Sequence, residues 1–175
     1  VAPDLLKREF KAQAPNQKWA TDVTEFKVKG QKLFLSPLMD LYNGEILAYQ
    51  VNRRPEFRMV STMLEKAFER LNQGDKPILH SDQGWQYRQP TYRHMLAEKS
   101  IEQSMSRKGN CLDNAAMESF FGTLKSEFFY LESFESVEQL ASGIEDYIAY
   151  YNQDRISLRL NGLSPIQFRT QALNQ

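Results

Sequence analysis

From residue 17 onward the chain sorts into short stretches of distinct hydrophobic period. KWATDVTEFKV interleaves apolar and polar residues, is rich in β-formers and predicts a strand. Lys29-Gly30 reads as a turn, and QKLFLSPLMDLY as a second strand. Asn43-Gly44 is a strong hairpin signal leading into EILAYQVNR. Three such runs on tight turns predict an antiparallel meander. EFRMVSTMLEKAFERLNQG changes period. Its Met59, Met63, Leu64, Ala67, Phe68 and Leu71 recur at helical spacing, and Gly74 marks a stop. PILHSD predicts a short buried strand, PTYRHMLAEKS a helix opened by proline, and IEQSMS a further strand. A helix follows from about Asp113 to Phe129, then a longer amphipathic one in SVEQLASGIEDYIAYYNQ. SPIQFRTQAL predicts a last helix, with Ser164 as N-cap and Pro165 in its first turn. Residues 1–16 hold two prolines and no clean period, and read as an arm or linker ahead of a unit spanning 17–175.

The order β-β-β-α-β-α-β-α-α predicts an α/β fold with a mixed five-stranded sheet, its first three strands a meander, flanked by helices. That is the pattern of ribonuclease-H-like folds. The chain has 175 residues, 41% of them hydrophobic, which suits one domain with a sizeable core. Its 22 basic and 22 acidic residues cancel, so global charge says nothing of nucleic acid. Distribution says slightly more. The stretch between Lys125 and Arg155 is acidic without a basic residue, whereas 7–18, 53–58 and 155–169 are each net basic. Cys111 is the only cysteine, which excludes an internal disulfide and, with His80 and His94 alone, a zinc cluster. No apolar run approaches the roughly 20 residues that span a bilayer, and no signal peptide opens the chain. The expectation is a reducing, cytoplasmic compartment and no membrane partner.

Candidate chemistry lies in the acids. Asp22 falls within the first strand run, Asp82 ends PILHSD, and Glu118 sits on a later helix. An acid among apolar strand neighbours is costly unless paired, metal-bound or at the sheet rim. Three carboxylates can hold two Mg²⁺ ions about 4 Å apart, activating an attacking oxygen and stabilising a leaving one. The plain alternative is caps and surface charges. Asp113 reads as an N-cap of the helix bearing Glu118, and Asp40 as a turn cap.

That helix carries two stripes. At 100° per residue, Glu118 and Lys125 lie about 40° and 20° from Asn114, one narrow polar edge. Met117, Phe120, Leu124 and Phe128 gather on an adjacent apolar stripe, with Phe121 at its border. The apolar stripe predicts packing on the sheet, which holds the polar edge at the site. Lys125 stands about 10 Å from Glu118 along the axis, too far to share an ion with it but placed for a DNA phosphate, unless it is an ordinary solvated lysine. Asn114 reads as a residue that supports the site or bonds at the helix start. His80, two residues before Asp82, faces the same way on a strand. It orients Asp82, contacts DNA, or is a satisfied buried histidine. Thr24 stands in the same relation to Asp22 and suggests a structural hydrogen bond. Trp19, Trp85 and Tyr87 offer rings for base stacking. Core packing is the stronger reading for Trp19, and DNA contact for Trp85 in its probable loop.

Taken together, WATDVTEF, HSDQGWQY, RKGNCLDNAAMESFFGTLKSE, YIAYYNQDR and LSPIQF make the chain resemble the catalytic core of DDE insertion-sequence transposases related to retroviral integrases, of the HSDxGxQY, second-reading-frame type. The likeness runs from about residue 17 to 168. It implies Asp22, Asp82 and Glu118 as catalytic metal ligands for Mg²⁺, with Mn²⁺ able to substitute and two ions the natural number. It implies DNA as partner, both transposon ends and target, and a bacterial, nucleoid-associated protein acting as a homo-oligomer. The reaction would be cleavage at a transposon end and strand transfer by the freed 3′-hydroxyl. No upstream DNA-recognition module is visible. Lys125, Trp85, His80 and Asn114 are the expected DNA-binding residues. Ser157 departs from the family, which usually has His two residues after the Arg of its YNxxR word. The rivals are a plain ribonuclease-H-like nuclease, a silent DNA-binding domain derived from a transposase, and a metal-independent glycosidase.

Overall fold

The structure is a computed structural model that describes residues 1–174 and, at Cys111 and Leu112, the backbone. Gln175, the end of the expected 17–175 unit, lies outside the described residues. The elements in order are β1 (Lys18–Thr21), β2 (Thr24–Val28), β3 (Gln31–Asp40), β4 (Ile46–Asn52), α1 (Phe57–Phe68), β5 (Ile78–Ser81), α2 (Pro90–Glu98), β6 (Glu102–Met105), α3 (Ala115–Glu127), α4 (Val137–Gln153) and α5 (Pro165–Leu173).

These form one mixed sheet with helices on both faces. The expected first strand is broken at Asp22-Val23, so there are six strand segments where five runs were read. The register does not slip at the break: Thr21 faces Leu38 and Thr24 faces Leu35, both antiparallel to β3. Asp22 Oδ1 accepts from the Val23 N–H at 2.8 Å, which turns the carboxyl back on the chain at that point. β4 pairs antiparallel with β3, completing the meander, while β5 lies parallel to β1 and β6 parallel to β5.

Alternation along the strands sends side chains to two cores. Ala20, Phe26, Val28, Leu33 and Leu35 pack with Met117, Phe120, Leu124, Leu140 and Ile144 of α3 and α4. Trp19, Leu38 and Leu79 pack on the other face with Met63 and Leu64 of α1 and Leu96 of α2. Ala20 thus faces α3, and Asp22 shares its parity. Ala20 pairs with His80 in the parallel register, and the same offset carries Asp22 to Asp82. The two acids therefore follow the carboxyl ends of adjacent parallel strands, where open α/β sheets place ligands.

Ser164 caps α5 in a capping box with Gln167, with Pro165 in its first turn. Asp40 caps its turn as expected, accepting from Tyr42 N at 3.0 Å. It is also buried and holds Arg169 Nη1 at 2.8 Å. Asp113 does not cap α3. The helix begins at Ala115 after a short turn, Asn114 occupies the cap position without a side-chain cap bond, and Asp113 is turned to Arg107 and Arg8. The stretch 1–16 is largely exposed but anchored at points: Leu6 is buried in the α3–α4 core, and Pro3 O accepts from Met105 N.

Candidate active site

Asp22 and Asp82 meet at the sheet rim beneath the first turn of α3. Burial is the largest influence on Asp22, and the charge of Asp82 and then of Glu118 adds to it, so its carboxyl is pushed from 3.8 up to about 7. Asp82 stands close enough to hydrogen-bond it. Asp82 Oδ1 also accepts from the Gly84 N–H at 2.7 Å, and Ser81 Oγ donates to the Asp82 carbonyl at 2.9 Å. Glu118 is exposed in the first turn of α3. Among the described residues none of these three acids forms an ion pair, and no three or more His, Cys, Asp or Glu side chains stand at metal-holding separation. The acids form a crowded pair with a third carboxylate acting at longer range. Their surplus negative charge and hard oxygen donors suit a cation such as Mg²⁺.

The residues around them divide. Asn114 is buried, its Nδ2 donating to Thr21 O at 3.2 Å, and its Oδ1 has no partner among the described residues. It ties the start of α3 to the residue before Asp22. Lys125 is half-buried. Its Nζ donates to Thr24 Oγ1 at 3.0 Å and lies 5.4 Å from the Phe26 ring centroid, so the structural bond expected of Thr24 exists and Lys125 supplies it. Trp85 is 47% exposed in the turn after Asp82, open to a stacking partner.

His80 lies inside the protein, fully buried, with Nδ1 2.7 Å from Ser104 Oγ and Nε2 3.0 Å from Ser106 Oγ. Both ring nitrogens are spoken for and burial depresses its pKa, so of its three readings the enclosed, satisfied histidine is the one seen. Tyr87 is equally enclosed and cannot stack on a base, and Trp19 is core, its Nε1 donating to Asn16 Oδ1. Tyr87 and Tyr92 are buried near the acids, and the Tyr92 hydroxyl has no partner among the described residues; after burial itself, Asp22 for Tyr87 and Asp82 for Tyr92 raise their pKa most. Their proximity to the acids was not legible in sequence, because it depends on how the turn after Asp82 and α2 fold back on the strand ends. Gly84 was missed too: a Cβ there would stand 2.9 Å from Asp82 Oδ1. Its place two residues after an acid in a turn was the available signal.

Paired acids at the ends of two parallel strands, faced by an acid-bearing helix, define an integrase-like α/β core. Models described as integrase core domain match residues 12–111 and 118–173. The chain belongs to the integrase core domain family. It is 57% identical over 171 residues to the putative transposase InsK for insertion sequence element IS150 of Escherichia coli, spanning 98% of this chain and 60% of that protein. It is 56% identical to an uncharacterised transposase-like protein of Haemophilus influenzae, spanning 99% of this chain and 80% of that one. The fold matches the HTLV-2 integrase catalytic core domain solved in complex with magnesium, with a TM-score of 0.72 and 19% identity over 90% of this chain and 99% of that one.

Proposed function

We propose that the chain is the catalytic core of a transposase that cuts DNA at insertion-element ends and joins the freed 3′-hydroxyl to another phosphodiester, using a divalent cation held by Asp22, Asp82 and Glu118. The observation that carries this reading is the crowding of Asp22 by Asp82 and Glu118 at the strand ends, with no cationic side chain paired to any of the three among the described residues. A bound cation would lower the pKa of an attacking water or hydroxyl and offset charge on the leaving oxygen. The chain's own groups do the rest. Asp22, near half-protonated at neutral pH, would give up its proton to solvent when a cation binds. Gly84 N–H holds one oxygen of Asp82, leaving the other for a ligand. Asn114 keeps α3 against the end of β1, so that Glu118 stays on the same side as the acids. Exposed Trp85 lies where a frayed end base can stack. In cleavage, water adds to phosphorus, the 3′-oxygen leaves as a hydroxyl, and the phosphate stays on the other fragment. In joining, that hydroxyl adds to a second phosphorus in the same way. DNA, a multimeric active assembly, Mg²⁺ or Mn²⁺ and a count of two ions belong to this proposal, as does a bacterial cytoplasmic setting.

The test is incubation with labelled element-end DNA, in Mg²⁺ or Mn²⁺ and in chelator, with a pre-cut end in a parallel arm. Metal-dependent cutting and joining are expected. Cutting without joining would leave a ribonuclease-H-like nuclease, and DNA binding without either would leave a silent domain.

A further inference from the structure

The N-cap of α3, Asn114, makes no side-chain cap bond to the helix, so the first turn, and Glu118 with it, is not held by a cap among the described residues. Asp113, the residue before that cap, is held by groups that precede it in the chain. Asp113 is fully buried and its carboxylate accepts four N–H bonds. Oδ1 takes Arg8 Nε and Arg107 Nη2, each at 2.9 Å, and Oδ2 takes Arg107 N and Nε, each at 2.9 Å. A buried carboxylate is tolerated only when its lone pairs are met, and here two guanidiniums meet them. Arg107 stands two residues beyond the end of β6. Arg8 comes from the N-terminal arm, where Lys7 and Arg8 both have positive φ (48° and 64°), a conformation unfavourable for residues with side chains. That turn is held by Asp4 Oδ1, which accepts from Lys7 N at 2.9 Å, and by burial of Leu6. The arm is stitched to the end of β6, since Leu5 N donates to Ser104 Oγ at 2.8 Å.

We propose that Asp113 is a positioning residue: gripped by Arg107 and by Arg8 of the arm, it fixes the turn between β6 and α3 and so sets Asn114 and Glu118 relative to Asp22. This rests on the metal-site reading above. The arm thereby becomes a working part of the site, and whatever shifts residues 4–8 shifts Glu118 with them.

The test uses Asp113→Asn and Arg8→Gln, with hydrogen exchange and Mg²⁺-dependent melting as readouts. The amides of Arg107, Asn110 and Asp113 are compared with those of β1 and β5. Loss of one charge-assisted grip should raise exchange in the turn roughly tenfold and leave the strand amides unchanged. The Mg²⁺ concentration giving half the melting shift should rise about 10- to 100-fold, the usual consequence of removing a group that orients a ligand. Unchanged exchange in the turn, or exchange raised equally in the strands, overturns the proposal. If Asp113→Asn does not fold, Arg8→Gln, which alters a side chain 44% exposed, decides alone. If the wild type shows neither a Mg²⁺ shift nor DNA cutting, the metal-site reading fails, and exchange in the turn still decides the clamp.

Discussion

Gly84 donates its N–H to Asp82 Oδ1 at 2.7 Å, and a Cβ on Gly84 would stand 2.9 Å from that oxygen. The backbone φ of Gly84 is −54°, which any residue adopts, so the glycine is required by close approach and not by its backbone freedom. Gly84→Ala should push the Asp82 carboxyl off its seat. We expect cleavage to fall about 10- to 100-fold, in line with losses of groups that orient ligands, with a small change in melting temperature. A metal-titrated cleavage assay on the folded variant checks this, and wild-type rates at every metal concentration would contradict it.

Glu118→Gln should separate chemistry from folding. Glu118 is exposed on the polar edge of α3, while Met117, Phe120, Phe121 and Leu124 carry the packing. The variant should melt within about 0.5 kcal/mol of wild type, as surface changes do. Cleavage should fall by more than the roughly 100-fold expected when only an outer partner is lost. Near-normal cutting by the folded variant would remove Glu118 from the site.

The sequence carried the strand meander, the capped last helix and the two stripes of α3, because these follow from local period and turn chemistry. It also carried the three acids as a pattern, though not the register that pairs Ala20 with His80 and so aligns Asp22 with Asp82. What stayed hidden depends on partners far apart in the chain. Asp113 looked like a cap because its grip on Arg8 spans 105 residues. Lys125 looked free because Thr24 lies 101 residues away. His80 pointed the same way as Asp82 in either reading, and only the fold brings Ser104 of β6 and Ser106 just beyond it to the ring nitrogens.

Two helical glycines should respond oppositely to one substitution. Gly122 on α3 is exposed, and among the described residues nothing lies within 4 Å of an added Cβ. Gly122→Ala should stabilise by roughly 0.5–1 kcal/mol through helix propensity. A Cβ on Gly143 of α4 would meet the Phe128 ring at 2.4 Å. That ring stacks 5.8 Å from Tyr147 and packs edge-on to Phe134, so it has little room to retreat. Gly143→Ala should therefore destabilise by about 1–3 kcal/mol despite the same propensity gain. Denaturant melts of both variants decide it, and a stabilised Gly143→Ala would show that the ring moves freely.

The last prediction concerns pH. Burial first, and then Asp82 and Glu118, raise the Asp22 carboxyl from 3.8 to about 7, so the folded chain holds this proton more tightly than the unfolded one. The stabilisation is complete below pH 4 and is lost as pH rises to about 7. At 1.36 kcal/mol per tenfold, the loss is at most about 4 kcal/mol, or several degrees in a chain of this size. Other groups act in the opposite sense. His80 is depressed by burial, so its contribution is lost as pH falls through the range just below 6.5. Glu127 is lowered chiefly by its hydrogen bonds with Arg155, so its contribution is lost only at more acid pH. Asp22→Asn keeps these and removes the contribution of Asp22, so the difference between the two melting curves isolates it. Wild type should lose ground to Asp22→Asn between pH 5 and 7 in chelator. Adding Mg²⁺ at pH 7.5 should reverse the trend, because the cation takes the ionised site. At 100 times its dissociation constant it adds roughly 2.7 kcal/mol to the folded state. Asp22→Asn, short of one carboxylate, should gain much less. Parallel curves for the two proteins from pH 5 to 8, with equal gains from Mg²⁺, would mean that Asp22 is neither crowded by Asp82 and Glu118 nor part of a cation site.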